Sequence, residues 1–99
     1  MMTCGGLGGS QTADSEVQGI CDQMKGEFLK QSGVNASVFK AIEYKTQVVA
    51  GTNYFIKVHL GGDKYAHIRV YQSLPHAGSK LRLDRFQVDK TKDDKVDHF

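Results

Sequence analysis

The stretch QVVAGTNYFIKVHLGGDKYAHIRVY, residues 47–71, decides how the rest of the chain is read. Within it, Tyr54, Ile56, Val58 and Leu60 alternate with Phe55, Lys57 and His59. A period of two belongs to a strand, whose successive side chains point to opposite faces. Residues 61–64, GGDK, are a hairpin signal, because the tight turn needs positive φ that glycine adopts at no steric cost. Beyond that turn Ala66, Ile68 and Val70 face one way, and Tyr65, His67, Arg69 and Tyr71 the other. The odd part is the beginning. Val48, Val49 and Ala50, followed by Gly51, occupy a place where polar turn residues are expected.

Upstream, residues 39–47 alternate imperfectly, although Ile42, Tyr44 and Thr46 suit a strand. Before them Val17, Ile20, Cys21, Met24 and Phe28 recur at helical spacing and lie within roughly a 100° arc, the stripe of a helix laid on a core. Gly19 and Gly26 fall on the opposite face. Thr12, Asp14 and Ser15 are all able to cap this helix, and Ser15 with Gln18 forms an S-x-x-Q capping box. Gly33 is placed as the left-handed residue that ends it, with Val34 closing the cap. Residues 1–13 hold no charged side chain and are rich in glycine, which predicts a flexible leader not tied into the core.

Downstream, SLPHAGSK at 73–80 is a second connection with an apolar tip, built around the only proline, Pro75. Leu81 and Leu83 open another strand, but Phe86 and Val88 have the opposite parity, the mark of a bulge or of a strand covered on both faces. The charged residues 89–97 carry both signs and read as a solvated end, with room for a short edge strand.

Composition narrows the function classes. Ninety-nine residues make one domain, and a chain of this length can fold without disulfide staples. A net charge of +2 is too weak a field to argue for nucleic acid. The apolar runs are far too short to span a bilayer. The N-terminus shows neither a basic n-region nor an apolar h-region, so Cys4 and Cys21 are expected as reduced thiols in the cytosol. The sequon at Asn35 would then never be used.

One helix followed by three or four antiparallel strands is an α+β domain, with the helix laid across one sheet face. If the strands meander, residues 47–53 and 73–80 share one end of the sheet, and GGDK lies at the other. The leader is able to reach the first of these ends. Such an edge is a binding wedge more readily than a pocket. Catalysis fits poorly: Cys4 in a mobile leader has no fixed geometry, and Cys21 on the apolar stripe is inert. His59 and His67 share a parity across the GGDK hairpin and are expected opposite each other, but spacing supplies no third metal ligand. They read as solvated histidines on an open face. His76 and His98 show no ligand spacing at all.

QVVAGTNYFIKV at 47–58, QSLP at 72–75 and the CG near the start resemble the cystatin superfamily. The pentapeptide Gln47-Val48-Val49-Ala50-Gly51 is specific to that superfamily, and the likeness runs through VFKAIEYK to Phe99. The lack of a signal peptide and of disulfides points to its stefin branch. The resemblance implies the cystatin fold over residues 1–99 as one domain, with one long N-terminal helix across a four- to five-stranded antiparallel sheet, no enzymatic activity and no cofactor. It implies reversible, competitive, tight-binding inhibition of papain-like cysteine proteases, papain and cathepsins B, H, L and S among them. The implied contacts are Gly5 or Gly6, the first hairpin at Gln47, Val48, Val49, Ala50 and Gly51, and the second at Leu74, Pro75 and His76. The leader, MMTCGGLGGS, has an extra threonine and a doubled glycine, so Gly5 and Gly6 both remain candidates for the residue entering the protease. The implied compartment is the cytoplasm, with the nucleus as a second. The implied state is a monomer able to exchange segments in a domain-swapped homodimer. A non-inhibitory interaction domain and a metal-responsive protein using His59 and His67 are the rival readings.

Overall fold

The computed structural model describes residues 9–97 and Phe99. Among them, strand β1 (Gln11–Thr12) leads into helix α1 (Ser15–Ser32). Four longer strands follow: β2 (Lys40–Val49), β3 (Gly51–Gly61), β4 (Lys64–Gln72) and β5 (Leu81–Lys90). All pairings are antiparallel, in the order β1-β2-β3-β4-β5, so the chain meanders and each strand neighbours the next.

The helix forms where the apolar spacing requires it. Val17, Ile20, Cys21 and Phe28 are buried, and Met24 packs beside them. They meet Ala41, Ile56, Val58, Leu60, Ala66, Ile68 and Val70, the inward parity of the sheet. Burying a side chain such as Phe28 stabilises the fold by ~1.5–3 kcal/mol. The parity slip in β5 is a bulge. Arg69 pairs with Arg85 and Val70 with Leu83, which leaves Asp84 as the extra residue. Leu83 and Phe86 thereby both reach the helix side, where the Phe86 ring meets Phe28 edge-on at 5.3 Å.

Three expectations are corrected. The helix cap is Asp14, whose carboxylate accepts from the Val17 amide at 3.0 Å, rather than a Ser15–Gln18 box. Gln18 instead donates to the Phe39 carbonyl at 2.9 Å and accepts from the Ala41 amide at 2.8 Å. It thus ties the helix to β2 beside that strand's pairing irregularity at Ala41 and Glu43. Gln11 and Thr12, within the stretch expected to stay clear of the core, pair with Tyr44 and Glu43. Residues 1–8 of that leader lie outside the described residues.

The third correction concerns the tail: Lys92, Asp93, Lys95 and Asp97 are exposed as read, but the segment forms no edge strand and is anchored on the sheet. It crosses the sheet face turned away from the helix, where Val96 is buried and the Phe99 ring meets buried Phe55 at 5.7 Å. Gly33 does end the helix as read, with φ 70° and its amide donating to the Leu29 carbonyl at 3.0 Å.

Candidate functional site

Pair register places both apolar turns at one end. A single row across the sheet reads Val48, Thr52, Gln72 and Leu81. The β2–β3 turn closes just beyond this row, and the connection at residues 73–80 leaves from it. The GGDK turn lies at the far end, where Lys40, His59, Tyr65 and Lys90 share a row. Since β1 runs antiparallel to β2, the chain enters β1 from the side of Val48 and Val49.

The first turn is as tight as a hairpin allows. Val49 pairs with Gly51, so Ala50 alone forms the apex. Gly51 has φ 120°, open to glycine and rarely to other residues. A Cβ there would lie 2.5 Å from the Gln72 carbonyl oxygen and 2.6 Å from the Tyr71 hydroxyl. Glycine is thus required twice, by torsion and by space. Below the apex, the Asn53 side-chain amide donates to Gln47 at 3.0 Å across the pair. Val48 is 61% exposed and Val49 42%, unusual for β-branched residues with no core role.

The second turn is built differently. Leu74 precedes a short 3₁₀ turn, Pro75–Ala77, and Gly78 ends it with φ 94°. Pro75 sits where its missing N–H costs nothing. The Ala77 and Ser79 amides donate to the Leu74 carbonyl at 2.9 and 3.1 Å, and Ser73 Oγ accepts from the Lys80 amide at 2.7 Å. The loop is therefore preformed. Leu74 is 37% exposed, and Pro75 and His76 are exposed beside it. The structure brings together Gln47 to Gly51 and Leu74 to His76; Gly5 and Gly6 lie outside the described residues.

Among the described residues, Cys21, His59 and His67 are no part of this tip. Burial, aided by the charge of Asp22, pushes the Cys21 thiol up to about 12, so it stays protonated and unreactive. Cys4 lies outside the described residues. His59 and His67 are not opposite each other: His59 faces Tyr65, and His67 faces Lys57. His67 is also not solvated, being 1% exposed. The two histidines share a face but sit two positions apart along it, and the Gly61–Lys64 pairing with its irregularity next to His59 sets that register, which parity counting cannot fix. Burial of His67 follows from the tail, whose Lys92 carbonyl accepts from the equally buried Lys57 at 2.6 Å.

A helix-braced sheet with two preformed apolar turns side by side is a domain made for contact with another protein. The Cystatin domain family model matches residues 5–93, and the chain belongs to that family. Cystatin-B of Homo sapiens is 45% identical over 98 residues, covering 99% of this chain and all of that protein. Leukocyte cysteine proteinase inhibitor 1 of Sus scrofa is 49% identical, and Cystatin-A1 of Sus scrofa 46%, each over 99% of this chain and 95% of theirs. Among the described residues no helix is long and apolar enough to cross a membrane.

Proposed function

We propose that this protein is a reversible, competitive, tight-binding inhibitor of papain-like cysteine proteases, the cathepsins B, H, L and S and papain. The observation that carries the reading is the pair of exposed apolar turns, preformed at one end of a rigid sheet. Val48, Val49 and Leu74 lose solvent on docking, and the ordered loops lose little conformational freedom. An ordinary interface of ~1,600 Å² then suffices for tight binding. Ala50 presents its backbone at the apex, which Gln47 and buried Gly51 support from below, Pro75 and His76 extend the second contact, and Gly5 or Gly6 completes the wedge from the leader. No bond to the protease is needed, and no peptide bond has to cross its catalytic cysteine.

We assign the active form to a monomer in the cytoplasm, a reducing compartment that suits the sealed thiol of Cys21. Opening of the β2–β3 turn would let two chains exchange their N-terminal parts, and the swapped dimer would lack the first wedge element. Titrating active papain with the purified monomer tests the reading. Peptide hydrolysis should fall linearly to zero near one inhibitor per enzyme and recover on dilution into excess substrate. Full papain activity in a micromolar excess of the protein would overturn it.

A further inference from the structure

Two valines beside a one-residue apex raise the question of what holds the first turn shut, since both suit an extended strand. The apex carbonyl of Ala50 accepts a hydrogen bond from the Tyr71 hydroxyl, which comes from the neighbouring strand β4. Tyr71 is opposite Asn53 in β3, and its ring passes beneath Gly51, where a Cβ would lie 2.8 Å from Cε1. Across the next pairing, Arg82 of β5 sets its guanidinium 4.9 Å from the centre of that ring. Arg82 is held in turn by Asp84, the bulged residue, which also faces Arg69 at 3.9 Å. A brace thus runs from Asp84 through Arg82 and Tyr71 to Ala50. Tyr71 also lies one residue before the end of β4, the strand that feeds the second turn, so one residue couples the two.

We propose that Tyr71 is a positioning residue that keeps the Val48–Val49 turn closed through its hydroxyl bond to Ala50, with Arg82 fixing the ring. The link to inhibition rests on the function proposed above; the hold on the turn does not. A neutral hydrogen bond of ordinary net strength shifts an opening equilibrium roughly 3- to 10-fold. Tyr71→Phe keeps the ring and the Arg82 contact and removes only the donor. Amide hydrogen exchange in a peptide covering residues 47–53 should then speed up by that factor, with the melting temperature lowered by no more than the ~10 °C that one such bond accounts for. Arg82→Met should produce a smaller rise in the same peptide. Unchanged exchange at 47–53 in Tyr71→Phe, or a melting temperature lowered far beyond that range, would overturn the brace. Papain affinity of Tyr71→Phe should weaken by up to the same factor, because an opened turn has to be reordered on docking; undiminished affinity would overturn the link to inhibition. Failure of the unaltered protein to bind papain would remove the inhibitor reading and leave the exchange result standing.

Discussion

Two regions of this molecule break the rule of apolar inside and polar outside, in opposite senses. At the tip, Val48, Val49 and Leu74 are exposed; beneath the tail, Lys57 and His67 are 2% and 1% exposed. Exposed valines cost the fold little, since they forgo burial without leaving any polar group unsatisfied. Burying the Lys57 ammonium costs desolvation, which the tail offsets with the Lys92 carbonyl, while Glu43 stands 3.7 Å away; burial keeps the His67 ring neutral near pH 7. The first exception therefore points outward to a partner, and the second inward to stability. Changes at the tip should alter binding and spare the fold, and changes under the tail should do the reverse.

The largest expected effect comes from Val49→Asp, which puts a charge into a contact that docking desolvates. Binding to papain should weaken by roughly 3–4 kcal/mol, with fold stability within about 0.5 kcal/mol of the parent. Inhibition titration and thermal melting on one preparation check both halves. A variant that melts far lower yet inhibits normally when folded would reverse the assignment of the two regions.

Acid should act on the other region. Burial, with Lys90 and Lys57 nearby, lowers the pKa of His67 from 6.5 to about 4 against the opposing pull of Asp94 and Glu43. The folded state then binds the proton less readily than the unfolded chain. Its contribution is complete above about pH 6.5 and is lost as pH falls toward 4. Between pH 7.5 and 5 this amounts to about 2 kcal/mol of unfolding free energy. Urea unfolding at the two pH values measures it, and His67→Gln should show a visibly smaller drop. An identical drop in that variant would locate the acid sensitivity elsewhere.

The smallest effect sharpens the comparison within the tip itself. Leu74→Gly removes one half-exposed contact without adding a charge, and should weaken papain binding by about 1 kcal/mol. A loss equal to that of Val49→Asp on the same protease would make the second turn the main anchor.

Much of this was open to inspection in the chain. The two-residue period around Phe55 and the 3.6-residue spacing from Val17 to Phe28 are local consequences of where apolar side chains must go, so they named the strands and the helix. The opposed parities of Leu83 and Phe86 announced the bulge. The pentapeptide at 47–51 marked the tip by resemblance, and the meander placed residues 73–80 beside it. Tyr71 gave no such signal, because a tyrosine in a strand is ordinary and its bond to Ala50 depends on how the turn folds back.

By itself, then, the sequence determined the helix, the strand parities and the presence of an apolar turn, since each is written in neighbouring residues. Tertiary structure alone decided that His67 is buried and faces Lys57 rather than His59, that Gln18 clamps β2, and that Arg82, Tyr71 and Ala50 meet. Those outcomes depend on register, on a bulge, and on where a charged tail comes to rest. Each is settled by the summed fit of segments far apart in the chain, and no local pattern encodes such a sum.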